Sequence, residues 1–136
     1  MIDPSQLELA KFALTALSSS IYQSNVKAGW FKDPKTGRKI DRDPMVMLML
    51  IVTEVAEAAE GQRKGIRDTH LPEFPMLIVE LADTLVRCFE LAGYMQSRHP
   101  EERYNLGEAF VAKLLYNDLR LDHKLTERAK PGGKSC

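Results

Sequence analysis

Asp43-Pro44 is followed by eight consecutive apolar residues, Met45 to Val52, and then by TEVAEAAEGQRK. The apolar run alone could form a buried strand. The Ala- and Glu-rich continuation decides for a helix, because both residues are strong helix formers. Asp at the N-cap and Pro at the first helical position open such a helix, and Gly61 or Gly65 closes it. The run falls far short of the roughly 20 residues that span a bilayer, so no membrane segment is expected. A helix that is apolar on nearly all sides instead needs cover from more than one direction.

Three further segments read as helices. Asp3-Pro4-Ser5-Gln6 approximates a capping box, and Leu7, Ala10, Leu14, Leu17 and Ile21 continue as one apolar face that should end near Asn25. A third helix is expected from about Met76 to Met95. A fourth opens at Asn105, with Glu108 three residues on as a second capping box. The 136 residues predict one domain, and 44% apolar content is enough for a core. The expected architecture is all-α, a bundle of four main helices over residues 1–125. Residues 126–136 read as a basic tail with nothing to bury, mobile unless a ligand orders it.

Net charge is zero, yet the charges are segregated. The loop 27–44 and the terminal stretch 120–136 each carry a net +3, whereas residues 45–60 hold three Glu and no base. Such alternation suits a site that handles cations and anions together. The N-terminus MIDPSQLE has no basic region before an apolar stretch and does not read as a signal peptide. Two cysteines, Cys88 and Cys136, make neither a disulfide framework nor a zinc site, so a cytoplasmic setting is expected.

The acids within the apolar helices carry the chemistry. Glu54 and Glu57 sit three apart, diverging by about 60° with an axial offset of roughly 4.5 Å, and Glu80 and Asp83 repeat that spacing. Ile51 and Leu50 precede Glu54, and Leu77 and Met76 precede Glu80, so these acids interrupt apolar faces. A buried carboxylate without a cation or a proton is strongly unfavourable. Arg87 is the only base on these runs, and one guanidinium cannot offset four acids. If the second and third helices pack antiparallel, four carboxylates form an oxygen cage suited to Mg²⁺, with Mn²⁺ as a substitute. A di-iron site would need Glu-x-x-His on each of two helices, and the sequence has no Glu-x-x-His. His70, His99 and His123 lie outside the acidic runs.

Glu54-Val55-Ala56-Glu57 and Glu80-Leu81-Ala82-Asp83, separated by 22 residues, resemble the ExxE and ExxD motifs of the MazG-like all-α nucleoside triphosphate pyrophosphohydrolases. Thr53 stands where many members have a further Glu. The resemblance extends downstream through Lys113, Asn117 and Arg120, spaced KxxxNxxR, to a DHK…GGK ending. It implies Mg²⁺-dependent hydrolysis of an NTP or dNTP between the α and β phosphates, giving a monophosphate and pyrophosphate. Glu54, Glu57, Glu80 and Asp83 would hold the metal, and Glu57 or Glu54 would accept a proton. Lys113, Asn117 and Arg120, at i, i+4 and i+7 on the fourth helix, would grip the phosphates. Trp30, with Asn25 and Lys27 nearby, would either stack on a base or plug the bundle.

A rival reading is a non-catalytic helical module binding nucleic acid or protein through the basic loop and tail. A pI near 6.8 argues against nucleic acid as a partner, and that reading leaves the four acids unexplained. The all-round apolar second helix predicts a homodimer or homotetramer.

Overall fold

The computed structural model describes residues 3–134. It is 68% helical, and no strand occurs among the described residues. Four long helices, α1 (Pro4–Ala28), α2 (Pro44–Lys64), α3 (Met76–Arg98) and α4 (Leu106–Leu119), are followed by a 3₁₀ turn at Leu121–His123 and a short α5 (Leu125–Arg128). The chain is all-α. No helix among the described residues is long and apolar enough to cross a membrane.

Local chemistry accounts for the helix ends. Asp3 Oδ1 accepts from the Ser5 amide (2.7 Å), Asp43 from Met45 (2.8 Å) and Asn105 from Glu108 (3.0 Å), each occupying a donor that the first turn would leave unpaired. Gly65, at φ 63°, closes α2 by donating to Gly61 O (2.9 Å). Two helices outrun the expectation. α1 continues past Asn25 to Ala28 because Val26 packs on the core, and it stops at Gly29. α3 continues to Arg98, whose guanidinium pairs with Asp41, and Pro100 follows one residue after the cap His99.

The described residues fall into two compact units. Ala16–Tyr104 holds the second half of α1, the loop 29–43, α2 and α3. Its core is Phe31, Met47 and Tyr94, flanked by Tyr22, Val26, Leu91 and Met95. Tyr22 and Phe31 meet edge to face with centroids 5.2 Å apart, and Phe31 lies 5.2 Å from Tyr94. The Tyr94 hydroxyl accepts from the Arg42 amide and donates to the Arg42 carbonyl, both at 3.1 Å. α1 and α3 touch backbone to backbone: a Cβ on Gly93 would lie 2.3 Å from the Ser18 carbonyl oxygen.

The second unit comprises residues 3–15 and 105–134. In it the Thr15 hydroxyl donates to Asn105 Oδ1 (2.9 Å), tying α1 to the start of α4. Residues 126–128, the first of the expected basic tail, belong to the helical turn Leu125–Arg128, and Lys124 Nζ just before it donates to the Asp118 carbonyl (2.6 Å). Cys136 lies outside the described residues.

Candidate metal centre and adjoining cleft

The connection 65–75 reverses the chain tightly. Asp68 Oδ1 accepts from the His70 and Leu71 amides, and Arg67 Nη1 donates to the Glu73 carbonyl (2.7 Å). α3 therefore returns antiparallel to α2. Gly61 lies against Met76, and Glu54 lies beside Glu80 and Arg87, so falling numbers on one helix meet rising numbers on the other.

This register brings Glu54, Glu57 and Glu80 together, each with a carboxylate oxygen within 4.8 Å of the others. Glu54 and Glu80 are buried, at 6% and 7% exposure, and Glu57 is exposed. Burial, reinforced by the charges of Glu57 and Glu54, pushes the Glu80 carboxyl above the usual range. Glu60, one turn further along α2, shows the opposite environment. Half-exposed and paired with Arg63 and Lys64, it is held down to about 2.

Arg87 Nε donates to Glu54 Oε1 and so engages one acid of the three. One guanidinium against three carboxylates leaves a divalent cation's worth of negative charge. All-oxygen donors on two packed helices fit a hard cation such as Mg²⁺ or Mn²⁺. Asp83, the fourth acid expected in the cage, contributes no oxygen to this set. It is exposed on the wall of the adjoining cleft.

That cleft has a volume of about 430 Å³. α3 supplies Asp83, Val86, Arg87 and Glu90 to it, and α2 supplies Leu50. Asn25, from the last turns of α1, and Trp30 and Arg42, from the loop 29–43, complete the lining. Glu90 is buried at 7% exposure, with Asn25 Nδ2 donating to its Oε1 (2.9 Å) and Arg42 Nη1 at 3.8 Å. The core plug in this loop is Phe31, at 2% exposure, while Trp30 is 66% exposed at the cleft. Of the two roles weighed for Trp30, the plug therefore belongs to its neighbour. Lys27 is exposed in the last turn of α1 and does not line the cleft.

Lys113, Asn117 and Arg120 belong to the second unit. The expected single helical stripe is broken at its third member. α4 ends at Leu119, and Arg120 is extended (φ −68°, ψ 124°), its guanidinium turned to Asp122 with Nε 2.9 Å from Oδ1. Lys113 and Arg120 nevertheless converge on one ring, at 4.9 and 5.8 Å from the Tyr116 centroid. Asn117 Oδ1 is buried and has no hydrogen-bond partner among the described residues.

Sequence reasoning missed Glu90, Arg42 and Tyr116, and it dismissed Arg87. A signal was present on α3: Glu80, Asp83, Arg87 and Glu90 follow steps of three, four and three, which is one helical stripe. No family model, curated protein or solved structure matches the chain.

Proposed function

We propose that the protein is a MazG-like nucleotide pyrophosphohydrolase, which hydrolyses a nucleoside triphosphate between its α and β phosphates to the monophosphate and pyrophosphate. The observation that carries this reading is the meeting of Glu54, Glu57 and Glu80 beside a cleft whose lining includes an exposed Trp30. Glu54, Glu57 and Glu80 would hold Mg²⁺, with Asp83 facing the nucleotide side. When bound, Mg²⁺ neutralises phosphate oxygens and makes water more acidic. Arg87 orients Glu54 through its hydrogen bond. Glu57 is the better proton acceptor of the first pair, because it is exposed while Glu54 Oε1 is engaged. Lys113, Asn117 and Arg120 are assigned to phosphate binding by their resemblance to the family motif.

We also infer a homo-oligomer, a dimer or tetramer. Met45, Val46, Met49 and Val52 of α2 are all more than half exposed, a run of apolar surface that a second copy would cover. The deciding experiment incubates the full chain and Mg²⁺ with a panel of NTPs and dNTPs and scores pyrophosphate against orthophosphate. Pyrophosphate with a monophosphate is the expected result. Orthophosphate with a diphosphate, or no turnover across the panel, rejects the reading.

A further inference from the structure

Asp83 and Glu90 both line the cleft from α3, seven residues and so about 10 Å apart along the helix axis. The reach from a nucleoside's 5′-phosphate to the far edge of its base is of that order. With the carboxylate triad at one end, the Glu90 end stands where a base would lie. Leu50 and Val86 give the cleft apolar sides, and Trp30 offers an exposed indole for stacking.

Hydrogen-bond directions there are already set. Asn25 spends Nδ2 on Glu90 Oε1, so its Oδ1 remains an acceptor. Arg42 also approaches Oε1, at 3.8 Å, and Glu90 Oε2 takes part in neither contact. Asn25 Oδ1 and Glu90 Oε2 are therefore oxygen acceptors at this end of the cleft, beside the donor-only Arg42 guanidinium.

We propose that Glu90 selects nucleotides whose base carries an exocyclic amino group, an inference that rests on the nucleotide reading above. Cytosine and adenine present an amino donor, and guanine presents its ring N–H beside one. Uracil and thymine have no amino group, and their ring N–H is flanked on both sides by carbonyl oxygens, which a carboxylate repels. Discrimination of about tenfold or more is expected from such a contact.

Trp30 is the only tryptophan, so its fluorescence reports on this cleft without any need for turnover. The test titrates CMP, AMP, GMP and UMP into the full chain and follows Trp30 quenching. Amino-bearing monophosphates should bind about tenfold or more tightly than UMP, and Glu90→Gln should narrow that difference. Asn25→Ala, which removes the amide holding Glu90, should narrow it as well, and it serves if Glu90→Gln fails to fold. Equal binding of all four, preference for UMP, absence of any quenching, or variants that fold yet keep wild-type discrimination would each overturn the proposal. Because quenching is read apart from hydrolysis, a chain that discriminates bases but releases no pyrophosphate rejects the reaction and leaves Glu90's role standing.

Discussion

Arg87 on α3 donates its Nε hydrogen to Oε1 of Glu54 on α2, so a half-buried guanidinium ties together the two helices that carry the acids. The bond crosses between helices whose like charges would otherwise push them apart. It engages Oε1 of a carboxylate that also belongs to the cluster with Glu57 and Glu80.

Removing that guanidinium should loosen the metal-free protein. Arg87→Ala leaves Glu54 buried without this partner, and a hydrogen bond to a charged group contributes about 1.5–3 kcal/mol. Thermal melts in EDTA should show the loss, and added Mg²⁺ should recover much of it. An unchanged melt would mean that the contact contributes nothing to stability.

Stability should fall as pH rises through the Glu80 titration. Its carboxyl is raised above 4.5 in the folded chain, so the folded state holds a proton that the unfolded state releases first. The contribution is complete below 4.5 and is lost as pH climbs through the folded value. Glu80→Gln should therefore raise the melting temperature of the metal-free protein near neutral pH and flatten that limb. Glu60, held at about 2, acts in the opposite direction: its contribution is present above 4.5 and fades as pH falls toward 2. Melts of Glu80→Gln and Glu60→Gln across pH should separate the two limbs.

Divalent metal should stabilise the wild type by RT ln(1 + [L]/Kd), about 2.7 kcal/mol at a hundredfold excess over Kd. Glu54→Gln and Glu80→Gln should lose most of this shift. Asp83→Asn should lose less, because Asp83 adds no oxygen to the cluster. Calorimetric titration of Mg²⁺ or Mn²⁺ into the four proteins measures the order. Equal loss in all three variants would return Asp83 to the inner set.

Association through α2 should be visible in mass. Light scattering at micromolar concentration should give at least two chains, and a charge at an exposed apolar position, as in Met49→Lys or Val52→Glu, should shift the mass toward one. A wild-type monomer would rule out the inferred oligomer.

Features decided within one turn of chain were legible beforehand. Asp43-Pro44 and Asn105 with Glu108 mark helix starts because capping needs only neighbours. The i, i+3 acids show a shared face for the same reason. Features decided between elements were not legible. The pairing of Arg87 with Glu54 depends on the register of α2 against α3, and composition suggested only that one base was too few. Trp30 and Phe31 are adjacent aromatics, and which of them enters the core follows from the course of the loop. Arg120 left its expected stripe because Asp122, two residues on, offers a partner that a continuing helix would place on another face.

The Tyr94 hydroxyl, closed on both backbone groups of Arg42, makes the cleft's rim and the hydrophobic core a single mechanical unit. The loop that carries Trp30 cannot swing outward at Arg42 without breaking two hydrogen bonds made by one atom, and the ring behind that atom is 2% exposed among Phe31, Met47 and Tyr22. Widening the mouth by that route therefore disturbs the packing beneath it. The loop should exchange its Arg42 amide hydrogen on the timescale of α3 rather than on that of a surface connection.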